Sequence, residues 1–253
     1  MTTLVDLGGD EDAPLLVLGP SLGTSAEALW SACAAHLVGR FHVVGWELPG
    51  HGRDRGVPGT VTIGSLAAGV LEAVPGPFVY AGCSVGGAVG LQLLLDAPGR
   101  VRAAVLVCTG ARIGTEESWT ERAEQVRASG TPSLVSASAG RWFAPGFLER
   151  EPARGSALLH ALSDADDAGY AAVCGALAAY DVRERLGEVT APVLAVAGAH
   201  DQATPVADLA EIADGVRHGR LVVLDDASHL APAERPERVA ALVLDHLTRQ
   251  EKP

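Results

Sequence analysis

The segment that most constrains this chain is a strand, a sharp turn and a helix that meet at one serine. Phe78–Tyr80 is apolar and aromatic, as a buried strand requires, and Val85–Leu95 is apolar and suited to a helix. The turn between them has the sequence Gly82-Cys83-Ser84-Val85-Gly86, a Gly-x-Ser-x-Gly pattern. The glycines remove side chains that would crowd the serine, and the helix N-terminus points its N–H groups towards it. Ser84 is therefore a candidate nucleophile.

A Gly-x-Ser-x-Gly pattern can also arise by chance in a chain with 30 glycines, so the interpretation depends on partners for the serine. A serine hydroxyl needs a base to take its proton and an acid to orient that base. Behind this kind of turn the expected chain order is serine, acid, histidine. Asp201 follows the apolar run Pro192–Ala197, and His229 follows Gly219–Leu224. Both residues lie where loops leave predicted strands, at the sheet edge expected for Ser84.

Alternatives remain for each partner of the serine. Asp201 could be a turn or helix-capping residue, and His229 could be an ordinary loop histidine. Asp225 and Asp226 are rival acids, although they are too close in sequence to His229 to reach its ring easily. Residues 108–110, the other position that can supply the acid, contain no carboxylate, which favours Asp201.

A reacting carbonyl also needs two N–H donors for the negative charge that develops on its oxygen. The backbone N–H of Val85, next to the serine, is the first candidate. The second is the N–H of Leu22, in the loop Gly19–Thr24 that follows the predicted strand Pro14–Leu18. The alternative is that this loop is a plain turn.

The remaining apolar runs predict an α/β fold, because runs of strand length alternate with helical patterns. From about 110 to 185 strand-like runs disappear, and helical segments occur at Glu117–Arg127, Ser156–Leu162 and Ala165–Ala179. We therefore expect one domain, residues 1–253, with a mostly parallel sheet flanked by helices. The helical segment is expected to form a cap inserted between two strands.

Charge and hydropathy narrow the possible partners. The formal net charge of −12 argues against a nucleic-acid partner, because phosphate binding needs a basic face. No apolar stretch approaches the roughly 20 residues of a membrane span. Met1–Asp6 lacks a basic stretch followed by an apolar block, so no secretory signal is predicted and a cytoplasmic location is expected.

Buried free thiols are expected rather than disulfides for the four scattered cysteines, Cys33, Cys83, Cys108 and Cys174.

The sequence gives less support for a catalytic role of the other histidines. His51 lies in the turn Pro49–Arg53, where it is expected to organise the loop by hydrogen bonding. His200 adjoins Asp201 but should point away from it on an extended segment. The histidine spacings are not typical of a metal site, so neither a metal nor another cofactor is predicted.

Several motifs of the chain together resemble a known family. They are Ser21-Leu22-Gly23-Thr24, Gly50-His51-Gly52-Arg53, Gly82-Cys83-Ser84-Val85-Gly86-Gly87, Ala111-Arg112-Ile113-Gly114, Arg141-Trp142-Phe143, Gly198-Ala199-His200-Asp201 and Ala227-Ser228-His229. The layout resembles the α/β-hydrolase fold, and the details resemble 3-oxoadipate enol-lactonases over most of the chain. The two motifs within residues 110–185 carry the specificity of the match, because hydrolase families diverge in this region.

The resemblance implies a serine hydrolase that opens 3-oxoadipate enol-lactone to 3-oxoadipate through an acyl-enzyme, in the β-ketoadipate pathway of aromatic degradation. Because that substrate carries a carboxylate, Arg112 and Arg141 are candidates to bind it, and Trp142 is a candidate to wall the pocket. The alternatives are solvated or salt-bridged arginines and a tryptophan in the core of the cap.

Two other functions stay open. The chain could hydrolyse another ester or lactone, as perhydrolase-type relatives of the same fold do. It could also be a non-catalytic binding module on a hydrolase scaffold, although the complete set of Ser84, Asp201 and His229 counts against this. Under both enzymatic hypotheses the partner is a small-molecule lactone or ester substrate. The sequence does not predict the oligomeric state.

Overall fold

The computed structural model describes residues 2–56 and 59–249. The strands in these ranges are β1 (Leu4–Gly8), β2 (Leu15–Gly19), β3 (His42–Trp46), β4 (Phe78–Cys83), β5 (Val101–Val107), β6 (Val193–Gly198) and β7 (Gly219–Leu224). The helices are α1 (Ala26–Ala34), α2 (Ile63–Ala73), α3 (Val85–Asp96), α4 (Glu116–Ser129), α5 (Val135–Trp142), α6 (Phe147–Arg150), α7 (Pro152–Ser163), α8 (Asp167–Ala178), α9 (Val206–Gly215), α10 (Ala231–Glu234) and α11 (Pro236–Arg249). The predicted domain covers 1–253, so residues 1, 57–58 and 250–253 of that prediction lie outside the described residues.

The strands form a sheet in the order β1-β3-β2-β4-β5-β6-β7. β1 pairs antiparallel with β3, and each of the other neighbouring pairs is parallel. The strands β4, β5 and β6 are almost wholly buried, which explains their continuous apolar sequences. The prediction of an α/β fold with a mostly parallel sheet is confirmed.

The sheet brings the ends of four strands to one edge. Gly19 at the end of β2 pairs with Gly82 in β4, and Gly198 at the end of β6 pairs with Leu224 in β7. The loops that follow these strands carry Leu22, Ser84, Asp201 and His229 in turn. Parallel pairing therefore collects on one side four residues that lie far apart in the chain.

The segment between β5 and β6 contains α4 to α8, and every residue of it is described. We call residues 110–185 the cap. The helices predicted there correspond to α4, α7 and α8, whereas α5 and α6 were not predicted because they are only eight and four residues long. Within residues 2–56 and 59–249, none of the helices combines the length and apolarity needed to cross a bilayer.

Candidate active site

Ser84 occupies a strained turn between β4 and α3. Its backbone has φ 55° and ψ −119°, a conformation that costs a non-glycine residue about 1–3 kcal/mol. Two hydrogen bonds hold the turn: the Ser84 N–H donates to Val107 O over 3.0 Å, and Thr109 Oγ1 donates to Ser84 O over 2.7 Å. The strain therefore persists because the neighbouring strand end fixes both sides of the serine.

The glycines of the elbow are required by close backbone contacts. A Cβ atom on Gly82 would lie 2.3 Å from Gly86 O, and one on Gly86 would lie 2.5 Å from the carbonyl carbon of Gly19. The Gly86 N–H donates to Pro20 O over 2.9 Å, which ties the elbow to the loop that contains Leu22. The steric role predicted for Gly82 and Gly86 is confirmed.

The structure brings Asp201 and His229 together in a buried pair. His229 Nδ1 lies 2.8 Å from Asp201 Oδ2, and the two residues are only 4% and 6% exposed. An ionised carboxylate can only accept hydrogen bonds, so Nδ1 carries the proton and Nε2 is left as a base. This is the arrangement that a general base for a serine hydroxyl requires.

Asp201 is held in its ionised form by its surroundings. Oδ1 accepts from the N–H groups of Ala203 and Thr204, and Oδ2 accepts from Thr204 Oγ1 over 2.6 Å. Burial acts to raise the pKa of Asp201, but the charge of His229 and these hydrogen bonds outweigh it and lower the pKa below its ordinary value. The carboxylate is therefore anionic over the range in which histidines titrate.

The rival acids lie elsewhere. Asp225 and Asp226 are exposed, and Asp226 Oδ2 accepts from Arg235 Nε over 2.6 Å. His200 is also exposed, as its extended segment predicted. Of the carboxylates considered from the sequence, Asp201 is the one bonded to His229.

Ser84 and His229 line the same small cavity, of about 120 Å³. Leu22 lines it from the loop after β2, and its position is stabilised by a hydrogen bond between Ser21 N–H and Thr24 Oγ1. Val85 is the first residue of α3, so its N–H has no acceptor inside the helix. The assignment of the Leu22 and Val85 N–H groups to an oxyanion hole stays a prediction.

The cap supplies the other wall of the cavity. Arg141 and Trp142 both line it, and Trp142 is buried, so it also belongs to the core of the cap. The expectation for Arg112 is corrected: it is exposed and is not among the described residues that line the cavity. Ile113 and Gly114 line it instead. The charge of Arg112 acts on Asp181, whose pKa is lowered chiefly by Arg183.

Arg122 is a lining cation that sequence reasoning missed. Its Nη1 lies 3.5 Å from Tyr170 Oη, and its guanidinium lies 5.6 Å from the ring centre of Trp119. Trp119, Arg122 and Tyr170 all line the cavity. The signal available in the sequence was the i, i+3 spacing of Trp119 and Arg122 on a predicted helix, which puts both on one face.

A model of the alpha/beta hydrolase family matches residues 16–242, which include Ser84, Asp201 and His229. The chain belongs to the alpha/beta hydrolase family. The mostly parallel sheet and the strand-end loops described above agree with this family.

Among curated members of this alpha/beta hydrolase group, the chain is similar to 3-oxoadipate enol-lactonase 2 of Acinetobacter baylyi. The two are 34% identical over 233 residues, which cover 90% of this chain and 86% of that protein. Enol-lactonase 1 of the same organism is 32% identical over 241 residues, covering 94% and 90%. The crystal structure of the enol-lactonase from Burkholderia xenovorans LB400 has a TM-score of 0.92 and 32% identity, covering 98% of this chain and 96% of that one. The expected resemblance is confirmed, and it indicates an enzyme that hydrolyses an ester or lactone bond.

His51, another buried polar residue of this alpha/beta hydrolase, has a structural role. His51 is fully buried, its Nδ1 lies 2.8 Å from Pro49 O, and its ring stacks on Tyr170 at 5.9 Å. Burial lowers the pKa of His51 to about 4, so the ring is neutral at pH 7. The predicted structural role of His51 is confirmed, and all four cysteines are buried and free, as expected.

Proposed function

We propose that the protein opens 3-oxoadipate enol-lactone to 3-oxoadipate through an acyl-enzyme, as a step of the β-ketoadipate pathway. The observation that carries the proposal is the composition of one cavity. Ser84 and His229 line it from the loops at the sheet edge, and two arginines, Arg122 and Arg141, line it from the cap. Such a cavity suits a small ester or lactone that also carries a carboxylate.

The positive charges of Arg122 and Arg141 support a substrate that carries a carboxylate. Across residues 2–56 and 59–249, neither has a carboxylate within ion-pairing distance. Burial lowers the pKa of Arg141, and the nearby positive charge of Arg122 lowers it further. An anionic group between them would relieve this repulsion and accept charge-assisted hydrogen bonds from both. In a protein of net charge −12, this local positive charge favours an anionic ligand.

The first half of the reaction forms the acyl-enzyme. Ser84 Oγ attacks the lactone carbonyl while His229 Nε2 takes its proton, and Asp201 stabilises the imidazolium. The N–H groups of Leu22 and Val85 bind the oxyanion. The bond between the carbonyl carbon and the ring oxygen then breaks, and the enolate leaves. An enolate is a better leaving group than an alkoxide. It takes up the proton held by His229 and ketonises, so His229 is neutral again before the second half of the reaction.

The second half returns the free enzyme. His229 takes a proton from a water molecule, and the resulting hydroxide attacks the ester carbonyl on Ser84. The collapse of this second oxyanion breaks the bond to Ser84 Oγ, which regains a proton from His229. The sum is one lactone monocarboxylate and one water converted into one dicarboxylate with a ketone group and one released proton.

The proposal is tested by a substrate panel with the wild-type protein. The enol-lactone and p-nitrophenyl acetate are compared by kcat/KM, with Ser84→Ala as the blank. We expect the enol-lactone to be the faster substrate. If the enol-lactone turns over no faster than the aryl ester, the protein is an esterase of the same fold with another substrate. If neither is hydrolysed and a fluorophosphonate does not label Ser84, the binding-module alternative is favoured.

Removing either cavity arginine is expected to weaken binding of the substrate carboxylate. Arg122→Gln and Arg141→Gln should each lower kcat/KM for the enol-lactone about 10- to 100-fold, mainly through KM, because a hydrogen bond to a charged group contributes about 1.5–3 kcal/mol. The comparison substrate is α-angelica lactone, which has the same ring with a hydrogen in place of the carboxylate. Its rate should change little. The matched control is Arg112→Gln, which alters an exposed arginine outside the cavity. Equal losses for both lactones would contradict the assignment.

The rate should depend on pH through the imidazole of His229. Protonation of a histidine removes the base, so kcat/KM is expected to fall about tenfold per pH unit on the acid side. Asp201 does not cause this fall, because its lowered pKa keeps it ionised there. Its contribution to folding stability is present above about pH 4 and is lost only as the pH falls through its folded-state pKa. Rates and circular dichroism measured from pH 4 to 8 should therefore show loss of activity before unfolding, whereas a flat rate down to pH 4 would exclude His229 as the base.

A further inference from the structure

A buried carboxylate that the mechanism does not use joins the cap to the loop of the catalytic histidine. Glu234, at the end of α10, is only 2% exposed. Its Oε1 accepts from the N–H of Ser228 over 2.8 Å, and its Oε2 accepts from the N–H of Ala144 over 2.6 Å. Ser228 precedes His229 directly, and Ala144 belongs to the cap segment that follows Trp142.

Two further hydrogen bonds join the same pair of segments. The N–H of Leu230 donates to Trp142 O over 3.2 Å, and Ser228 Oγ lies 3.3 Å from Arg141 O. The residues on both sides of His229 are thus bonded to the backbone of residues 141–144. That cap segment carries two side chains that line the cavity, those of Arg141 and Trp142.

The chemistry of this link requires a carboxylate. Burying a charged group is costly unless its oxygens are hydrogen-bonded, and both oxygens of Glu234 have N–H donors. Burial also raises the pKa of this carboxyl. A glutamine of the same shape could accept from one donor only, and its NH₂ group would face the other N–H. One of the two hydrogen bonds through which residue 234 joins the two segments would then be lost.

We propose that Glu234 is a positioning residue that fixes the base His229 and the cap segment of Arg141 relative to each other. It touches neither substrate nor reacting atoms, and it acts through the N–H groups of Ser228 and Ala144. The cavity then holds the lactone carbonyl near the base and the carboxylate near Arg141 at a set separation. Displacement by about 1 Å can cost on the order of 100-fold in rate, so a fixed separation matters for catalysis. This inference rests on the proposed function of the cavity.

The test is Glu234→Gln, measured well below its melting temperature with both lactones. We expect kcat/KM for the carboxylated enol-lactone to fall about 30- to 100-fold. For α-angelica lactone, which does not use Arg141, we expect a smaller loss of about tenfold, and a similar slowing of Ser84 labelling by a fluorophosphonate. The matched control is Glu47→Gln. Glu47 is also 2% exposed, and its Oε2 accepts from Ala26 N–H over 3.0 Å, but it is not bonded to the histidine loop. This control should lose stability with unchanged rates.

A second variant covers the case in which Glu234→Gln does not fold. Ser228→Ala removes the hydroxyl that lies 3.3 Å from Arg141 O and 3.2 Å from His200 O and whose one proton is donated to either carbonyl. It should raise KM for the carboxylated lactone several-fold and leave α-angelica lactone nearly unchanged. If only Ser228→Ala can be measured, a KM for the carboxylated lactone equal to that of the wild type would overturn the inference.

The outcomes separate this inference from the proposed function. If wild-type protein hydrolyses neither lactone, the proposed function fails, and the labelling rate of Ser84 in Glu234→Gln against wild type still decides whether Glu234 positions the base. If wild-type protein hydrolyses the enol-lactone and Glu234→Gln keeps both rates and the labelling rate, Glu234 is merely structural. A changed ratio between the two lactones supports the positioning role, because a loss of stability alone would leave that ratio unchanged.

Discussion

Ser84→Ala is expected to lower kcat for the enol-lactone by about 10⁴- to 10⁶-fold. The methyl group cannot form the acyl bond, and water would have to attack without the serine. The residual rate would come from the oxyanion donors and from binding, which the substitution leaves in place. Steady-state release of 3-oxoadipate measures the loss, and intact mass after fluorophosphonate treatment should show no adduct.

A second substitution at the same position is a control for a folding defect in Ser84→Ala. Ser84 has φ 55°, which glycine adopts without steric cost. Ser84→Gly should therefore be inactive but at least as stable as Ser84→Ala, as measured by thermal unfolding. A folded Ser84→Ala protein that keeps its rate within about tenfold of wild type would remove Ser84 from the mechanism, since a triad serine contributes orders of magnitude more.

Asp201→Asn is expected to lower kcat by about 10³- to 10⁴-fold, because it disturbs the orientation and tautomer of His229. The carboxylate accepts from Nδ1 and from the Thr204 hydroxyl with the same oxygen, Oδ2. An amide that places NH₂ there would face the Nδ1 proton and favour the wrong tautomer. It would also lose the negative charge that stabilises the imidazolium in the transition state.

The rival acid provides the matched control for this prediction. Asp226→Asn changes an exposed aspartate that follows the same strand as His229 and pairs with Arg235. Its kcat should stay within about twofold of wild type, because exposed ion pairs contribute little. A large loss in Asp226→Asn with a small loss in Asp201→Asn would reverse the assignment of the acid.

The sheet and the elbow could be predicted because their signals are local. Buried parallel strands are continuous apolar runs, and the turn around Ser84 needs glycine where a Cβ atom would lie within 2.5 Å of the neighbouring backbone. The loops of Asp201 and His229 could be predicted because parallel strands end at one edge. These inferences depend on chain order and periodicity, which a single sequence contains.

The cavity residues of the cap could be predicted only in part. Arg112 and Ile113 are adjacent in an irregular segment, and which of them faces the cavity depends on how that segment packs. Arg122 lies on a predicted helix, but the sequence does not show which surface that helix packs against. The role of Glu234 could not be predicted from the sequence. It depends on two N–H groups, on segments that are brought together only in the folded chain.

The most direct test of the account is the preference of the wild-type protein between two lactones that differ by one carboxylate. The measurement is kcat/KM for 3-oxoadipate enol-lactone and for α-angelica lactone under the same conditions. The paired arginines predict that the carboxylated lactone is at least about tenfold better, from a charge-assisted hydrogen bond of about 1.5 kcal/mol or more. Equal values for the two lactones, or a preference for the uncharged one, would contradict a cavity built around Ser84 and a substrate carboxylate.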